Sequence, residues 1–204
     1  MSRLLHIQSS PNLESSVTRR LSAQFVQTWA GSRQNVTIEE LDLARDPLPH
    51  FGPEIMAAYL APDAEPSAAT RAAVALSEKL VAQLMAADIL IISAPMINFT
   101  IPTQLKAWFD HVIVAGKTFQ YAAPGVAKGL LFGKKAFVIE ARGGEYAEGP
   151  ASAFDFQEPL LRTMLGFMGV FDVSFIRVEG LRQKPEDGPA IIAHAERVVA
   201  RLAA

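Results

Sequence analysis

Apolar residues recur along this chain in two alternating patterns: short runs, and longer stretches in which they return every three or four positions. Residues 3–8, 35–41 (Val36, Ile38, Leu41), 134–141 and 171–179 fit strands. Residues 88–93, with Ile89, Leu90, Ile91 and Ile92, form the continuous apolar run of a parallel strand buried on both faces. Helices are predicted over 17–29, 67–86, 103–114, 152–168 and 189–202. The second of these has Ser67, or Thr70 one turn later, as its N-cap. Residues 42–53 carry Pro47, Pro49 and Pro53 and read as irregular, and a further stretch with Pro62 and Pro66 follows. Residues 115–133, with Gly116, Gly125, Gly129 and Gly133, make the one long connection, expected to be a hairpin or lid. Five strands alternating with helices predict an α/β fold, a parallel sheet covered on both faces. No repeat, low-complexity tract or linker divides the chain, so residues 1–204 are expected to form a single domain.

Composition narrows the chemistry. The formal net charge is −2, with no basic or acidic block, which argues against nucleic-acid or anionic-membrane partners. The absence of cysteine excludes disulfides, thiolate catalysis and Cys-based metal sites. The apolar segment from Leu4 to Ile7 is too short for a signal peptide, and no run reaches membrane-spanning length, so a cytoplasmic protein is expected.

Ligands of open α/β sheets bind beyond the carboxyl ends of the strands. Three loops at that edge have unusual composition. The first, Ser9 to Thr18, follows the first strand and opens a helix; its hydroxyls and the unpaired N–H groups of a helix N-terminus suit a phosphate, or Ser15 or Ser16 simply caps the helix. The second, Ala94 to Pro102, leaves Met96, Ile97 and Phe99 in a loop shaped by Pro and Asn, where they meet a flat apolar ligand or tuck into the core. The third, Ala141 to Tyr146, has paired glycines at 143 and 144, which allow positive φ and close approach of backbone to a ligand, or merely a tight turn.

The combination of Ser9-Ser10 with Ser16-Val17-Thr18, Ala94-Pro95-Met96-Ile97-Asn98-Phe99 with Pro102-Thr103-Gln104-Leu105-Lys106, Gly116-Lys117-Thr118-Phe119 and Arg142-Gly143-Gly144 resembles the signature of the FMN-dependent NADH-azoreductase and NADH:quinone oxidoreductase family. The resemblance runs over nearly the whole chain, including residues 165–170, and its middle block is the most specific part. It implies a flavodoxin-like three-layer sandwich with sheet order 2-1-3-4-5. It also implies one tightly bound FMN per subunit, NADH as reductant with NADPH left open, and quinones or azo compounds as acceptors. Ser10, Ser16, Val17 and Thr18 would hold the FMN phosphate. Met96, Ile97, Asn98 and Phe99 would line the isoalloxazine ring, largely through backbone groups, and Ala141, Arg142, Gly143 and Gly144 would pack against it. Relatives are homodimers, so residues 119–121 and 160–168 would supply walls for the partner's flavin: Phe119, Tyr121, Met164 and Phe167, with core packing the favoured expectation for Phe167. Two departures stand out: the family usually has Tyr where this chain has Ile97, and often a hydroxyl residue where it has Ala141. Around Tyr59–Pro62 the arginine of some relatives is missing, which bears on preference for acidic dyes.

The chemistry implied is ping-pong: hydride from NADH to flavin N5, then two electrons to the acceptor. A cofactor that carries the reaction accounts for a sequence without a G-x-S-x-G elbow or an H-E-x-x-H pair. Asn98 is the first candidate for a side chain acting near the ring; Tyr121 and Tyr146 follow as walls or proton donors. His6, His50, His111 and His194 are scattered and read as packing or surface residues, and no metal site is expected. Gly129 to Lys135 is no P-loop: it is one residue short between its glycines, lacks the Ser/Thr after Lys, and precedes a strand. No G-x-G-x-x-G follows the first strand, which argues against a Rossmann dinucleotide site. Two alternatives remain at this point, a flavin-binding electron carrier or regulator without its own turnover and a flavin-free interaction protein that keeps only the fold.

Overall fold

The computed structural model describes residues 2–61 and 64–204; Met1, Asp63 and Pro62, the last of these part of the Pro-containing stretch above, lie outside the described residues. The strands are β1 (Ser2–Gln8), β2 (Val36–Asp42), β3 (Ile89–Pro95), β4 (Phe119–Ala123), β5 (Val126–Gly129), β6 (Lys135–Ala141) and β7 (Asp172–Val178). The helices are α1 (Val17–Gly31), α2 (Pro53–Leu60), α3 (Ala68–Ala86), α4 (Thr103–Val112), α5 (Glu158–Phe167) and α6 (Gly188–Ala203). Five strands form one parallel sheet in the order β2-β1-β3-β6-β7, while β4 and β5 pair antiparallel as a separate hairpin. Counting sheet strands alone, this is the expected 2-1-3-4-5 order, and the hairpin settles the nature of the 115–133 connection.

The two-residue period of a strand sorts the apolar run of β3 onto both faces. Leu90 and Ile92 join Leu5, Ile7 and Val138 beneath α3, α4 and α5; Ile91 joins Leu4, Ile139 and Ile176 beneath α1 and α6. Leu90, Ile91 and Ile92 have no exposed surface, so each contributes about 1.5–3 kcal/mol of apolar burial. Ser67 caps α3 as expected, its hydroxyl accepting from Thr70 N.

Two expectations change. Pro53 does not close an irregular run but opens α2, where its missing N–H costs nothing because first-turn donors have no intrahelical partner. Residues 152–168 are not one helix. A 3₁₀ turn over Ser152–Phe154 ends, Phe156 N donates to Phe99 O at 3.1 Å, and α5 starts only at Glu158. The break is built from Asp155, whose Oδ1 accepts from the backbone N–H groups of Gln157 and Glu158. Pro159 in the first turn of α5, which has no N–H to donate back, reinforces it.

Candidate functional site

Because the sheet is parallel, the chain leaves β1, β3 and β6 at one edge, and the register places Gln8 beside Ser93 and Pro95 beside Ala141. The first loop is hydrogen-bonded to the end of β3, and the second to the start of the third. Ser9 N donates to Ser93 O at 3.2 Å, and Met96 N donates to Ala141 O at 2.9 Å.

In the first loop, Ser16 is the N-cap of α1 and its hydroxyl accepts from Arg19 N, so the capping alternative holds for this side chain. The backbone N–H groups of Val17 and Thr18 still point out of the first turn without intrahelical partners, as at any helix start. Thr18 offers only that N–H. Its side chain is buried, with the hydroxyl accepting from Ser93 Oγ at 2.8 Å, which corrects the expectation of a hydroxyl turned to the phosphate. Ser10 is buried at the loop's base, and its carbonyl accepts from Arg19 Nε at 3.0 Å. Arg19 also makes a two-pronged pair with Asp42 at 2.7 Å, tying this loop to the end of β2. The Arg19 hydrogen bonds hold the Asp42 carboxyl below its ordinary range. Neither residue is singled out by the sequence, since nothing in their spacing brings positions 19 and 42 together.

The second loop is a tight hairpin turn. Ile97 N donates to Thr100 O at 2.9 Å and Thr100 N to Ile97 O at 3.1 Å, while φ is 46° at Asn98 and 72° at Phe99. Positive φ at both central residues defines a type I′ turn, which Asn tolerates and Phe does not. The left-handed conformation costs about 1–2 kcal/mol at Phe99. The turn leaves Ile97 38% and Phe99 46% exposed, so these side chains do not tuck into the core. Phe99 packs against Phe154 at 5.7 Å and edge-on to Tyr146 at 6.2 Å, which brings two expected site residues, Phe99 and Tyr146, into one aromatic cluster beside Asn98.

The third loop differs most from expectation. Gly143 and Gly144 do not have positive φ. A Cβ on Gly143 would lie 3.3 Å from the Arg182 side chain, and one on Gly144 would lie 3.1 Å from the Tyr146 ring, so the glycines let those side chains lie across the backbone. Arg142 does not face the loop edge. It is fully buried, with Glu140 at 2.8 Å, Asp155 and Glu179 each at 3.0 Å, and Gln157 at 3.0 Å. Burial pushes the Glu140 carboxyl up to about 8, against the opposing pull of Arg142.

The remaining candidates fall elsewhere. Tyr121 stands on β4, 65% exposed and edge-on to Phe119, and so belongs to a cluster separate from that of Phe99. Phe119 and Met164 are buried; Phe167 packs against Phe119 with tilted rings at 4.5 Å yet remains 36% exposed, short of the core packing favoured for it. His6 is a core residue bonded to Ser22 Oγ at 2.9 Å, its basicity lowered chiefly by burial, and His111 bonds to Pro49 O at 2.9 Å. His50 and His194 are exposed. A polar cleft of about 530 Å³ borders the first loop, lined by Gln8, Ser15, Ser16, Val17 and Arg19 among others. A larger cavity of about 730 Å³ lies between α2 and α3, lined by Ala58, Ala61, Thr70 and Val74 among others; none of the three loops contributes to it.

Comparison with known proteins agrees with this geometry. A family model described as flavodoxin-like fold matches residues 2–202. The chain is similar to the FMN-dependent NADH:quinone oxidoreductase of Azotobacter vinelandii, at 46% identity over 203 residues, covering 100% of both chains. It is likewise similar to FMN-dependent NADH:quinone oxidoreductase 3 of Pseudomonas aeruginosa, at 48% identity over 186 residues, covering 91% of this chain and 85% of that one. Among solved structures, the azoreductase of Bacillus anthracis superposes with a TM-score of 0.92 at 29% identity, covering 100% of this chain and 99% of that chain.

Proposed function

Because the chain belongs to the flavodoxin-like fold family, among its FMN-dependent NADH:quinone oxidoreductases and azoreductases, we propose that it is an enzyme that binds FMN at the three-loop edge and uses NADH to reduce quinones and azo compounds. No helix among the described residues is long and apolar enough to cross a membrane.

The groups at the edge fit this cofactor. The first loop offers neutral donors, the Ser10 and Ser16 region and the free N–H groups of Val17 and Thr18, at the positive end of the α1 dipole, which suits a phosphate without a lysine. The second offers the backbone of a left-handed turn at Asn98 and Phe99 beside the exposed side chains of Ile97 and Phe99 and a half-buried Met96, which suits a flat ring with one polar rim. Ala141, Gly143 and Gly144 would close the other side with backbone, while Arg142 supports that wall from within. When bound, FMN would supply two-electron transfer through N5, taking hydride from NADH and passing it to the acceptor in ping-pong order.

The chain's own residues would orient and enclose. The strained 97–100 turn, clamped by Met96 N to Ala141 O and by Phe156 N to Phe99 O, is the observation that carries the proposal: it keeps Ile97 and Phe99 partly exposed at the three-loop edge, outside the core, at a backbone conformation that Phe disfavours. Asn98 would hydrogen-bond the ring's polar edge, Tyr146 would wall the pocket beside Phe99, and Tyr121 would reach the flavin of a second subunit. The same reading makes the protein a single domain over residues 1–204 and a cytoplasmic homodimer. Exposed Tyr121, Val126, Phe167 and Phe171 support the dimer, and a net charge of −2 supports the absence of a nucleic-acid partner.

The test is the visible spectrum of the purified protein before and after anaerobic NADH. Yellow protein that bleaches and regains colour with a quinone is expected. Protein that takes up no FMN at micromolar concentration would leave a flavodoxin-like module without this chemistry.

A further inference from the structure

One buried group has no part in that scheme. Glu140, on the face of β6 covered by α5, has no exposed surface. Its Oε2 accepts from Arg142 Nη2 at 2.8 Å, and its Oε1 has no partner among the described residues. Asp155 and Glu179 stand 3.0 Å from the same guanidinium, with side chains 11% and 17% exposed. Three ionised carboxylates around one buried cation would leave uncompensated negative charge out of water. Glu140, the most enclosed of the three, is the one whose neutral form relieves it. The other groups facing it are Glu158, which with Asp155 opposes its ionisation, and Arg177, which favours it; Arg177 and Arg162 are themselves bonded to Glu158.

The guanidinium reaches both ring-facing walls. Gln157, which accepts from Arg142 Nε, donates to Ala94 O at 2.7 Å, just before the 97–100 turn. Glu179 Oε1, which accepts from Arg142 Nη1, also accepts from Tyr146 N at 2.8 Å and Ala147 N at 3.1 Å. One cation therefore links the ends of β3, β6 and β7 with the 142–147 loop.

We propose that Glu140 is a positioning residue: as a neutral acid it completes the cage around Arg142 that holds the 142–147 loop against the end of β3, and loss of its proton to solvent, felt through Arg142, loosens that loop from the flavin. The proposal rests on the reading of this edge as the FMN site. The ionised form adds a third negative charge beside Asp155 and Glu179, which weakens the grip on Tyr146 and Ala147.

The test compares wild type with Glu140→Gln, which keeps the neutral form's shape, from pH 6.5 to 9.5. Wild-type kcat/KM with a quinone and FMN affinity are expected to fall together, with a midpoint near the value of about 8 to which burial raises Glu140. The fall is about tenfold between pH 7 and 9, following the protonated fraction. Glu140→Gln should match wild type at pH 6.5 and lose this alkaline limb. Identical limbs in both proteins, or a wild type flat over this range, would overturn the proposal. A protein that binds no FMN at any pH defeats the functional reading alone, and amide hydrogen exchange then decides the positioning role. Protection of Tyr146 and Ala147 should drop severalfold above pH 8 in wild type and hold in Glu140→Gln, and an equal drop in both overturns it.

Discussion

Gly129 offers the sharpest test of how the hairpin is attached. A Cβ at this position would lie 2.1 Å from Gly169 N and 2.3 Å from Met168 C, where ordinary contacts begin at 3.4 Å. Gly129→Ala must therefore drive the end of β5 and the turn between α5 and β7 apart by about 1.3 Å, the difference between the ordinary limit and the closest approach. That displacement breaks the bond from Leu131 N to Met168 O, now 2.9 Å, beside a Leu131 that is 2% exposed. Losing a buried bond costs about 1–3 kcal/mol and overpacking about 1–3 kcal/mol. The lower entropy of an unfolded Ala chain offsets about 0.4–1 kcal/mol. The net is about 3 kcal/mol, or about 6–12 °C in melting temperature for a chain of this size. Thermal melts followed by circular dichroism read it directly. Gly31→Ala is the control, because nothing lies within 4 Å of its Cβ position and its φ is ordinary; it should be neutral or slightly stabilising. A Gly129→Ala protein melting within about 2 °C of wild type would refute the crossing, because no relaxation that small accommodates the overlap.

Stability should itself depend on pH through Glu140. Its carboxyl titrates at 4.5 when unfolded and about 8 when folded, so the folded state holds a proton that the unfolded state has lost, and stability falls as pH rises through that interval. His6, whose pKa is lowered from 6.5, acts with the opposite sign only below that value, so the window from pH 6.5 to 8 isolates Glu140. Denaturant titrations should show stability falling by roughly 1 kcal/mol per pH unit there in wild type and a flatter line in Glu140→Gln; parallel lines would contradict the buried acid. Asn98→Gly keeps the left-handed φ while removing the side chain, and should slow bleaching by NADH about tenfold with FMN affinity nearly unchanged; equal loss of both would deny Asn98 a role at the ring. Arg19→Met frees the Ser10 carbonyl and leaves Asp42 without its two-pronged partner, so FMN affinity should fall about tenfold, and an unchanged dissociation constant would show that the first loop holds its shape unaided.

Much of this architecture is written in local pattern. The run Ile89 to Ile92 demands burial on both faces, which only a central strand between helical layers provides. Parallel strands then necessarily deliver the 9–18, 94–102 and 141–146 loops to one edge, so the site's location follows once the strands are recognised. Ser67 as one of two cap candidates and 115–133 as a hairpin or lid depend on near neighbours and were legible for that reason; the structure selects Ser67 and the hairpin. The left-handed pair at Asn98 and Phe99 was not, because Phe has no propensity for it and only the clamps to Ala141 and Phe156 hold it there.

The direction of Arg142 marks the boundary most clearly. Its sequence neighbours Gly143 and Gly144 suggest a ligand loop, and the two-residue period says only that Arg142 shares a face with Glu140. Which face is buried beneath α5, and that Asp155 and Glu179 arrive there from 13 and 37 residues away, was decided by folding. The sequence by itself determines periodicity, caps and the succession of strands and helices along the chain, because those depend on interactions between near neighbours. Tertiary structure alone decides which charges are dehydrated together and which backbones cross within a Cβ's width. Both depend on distances between segments that no local pattern encodes.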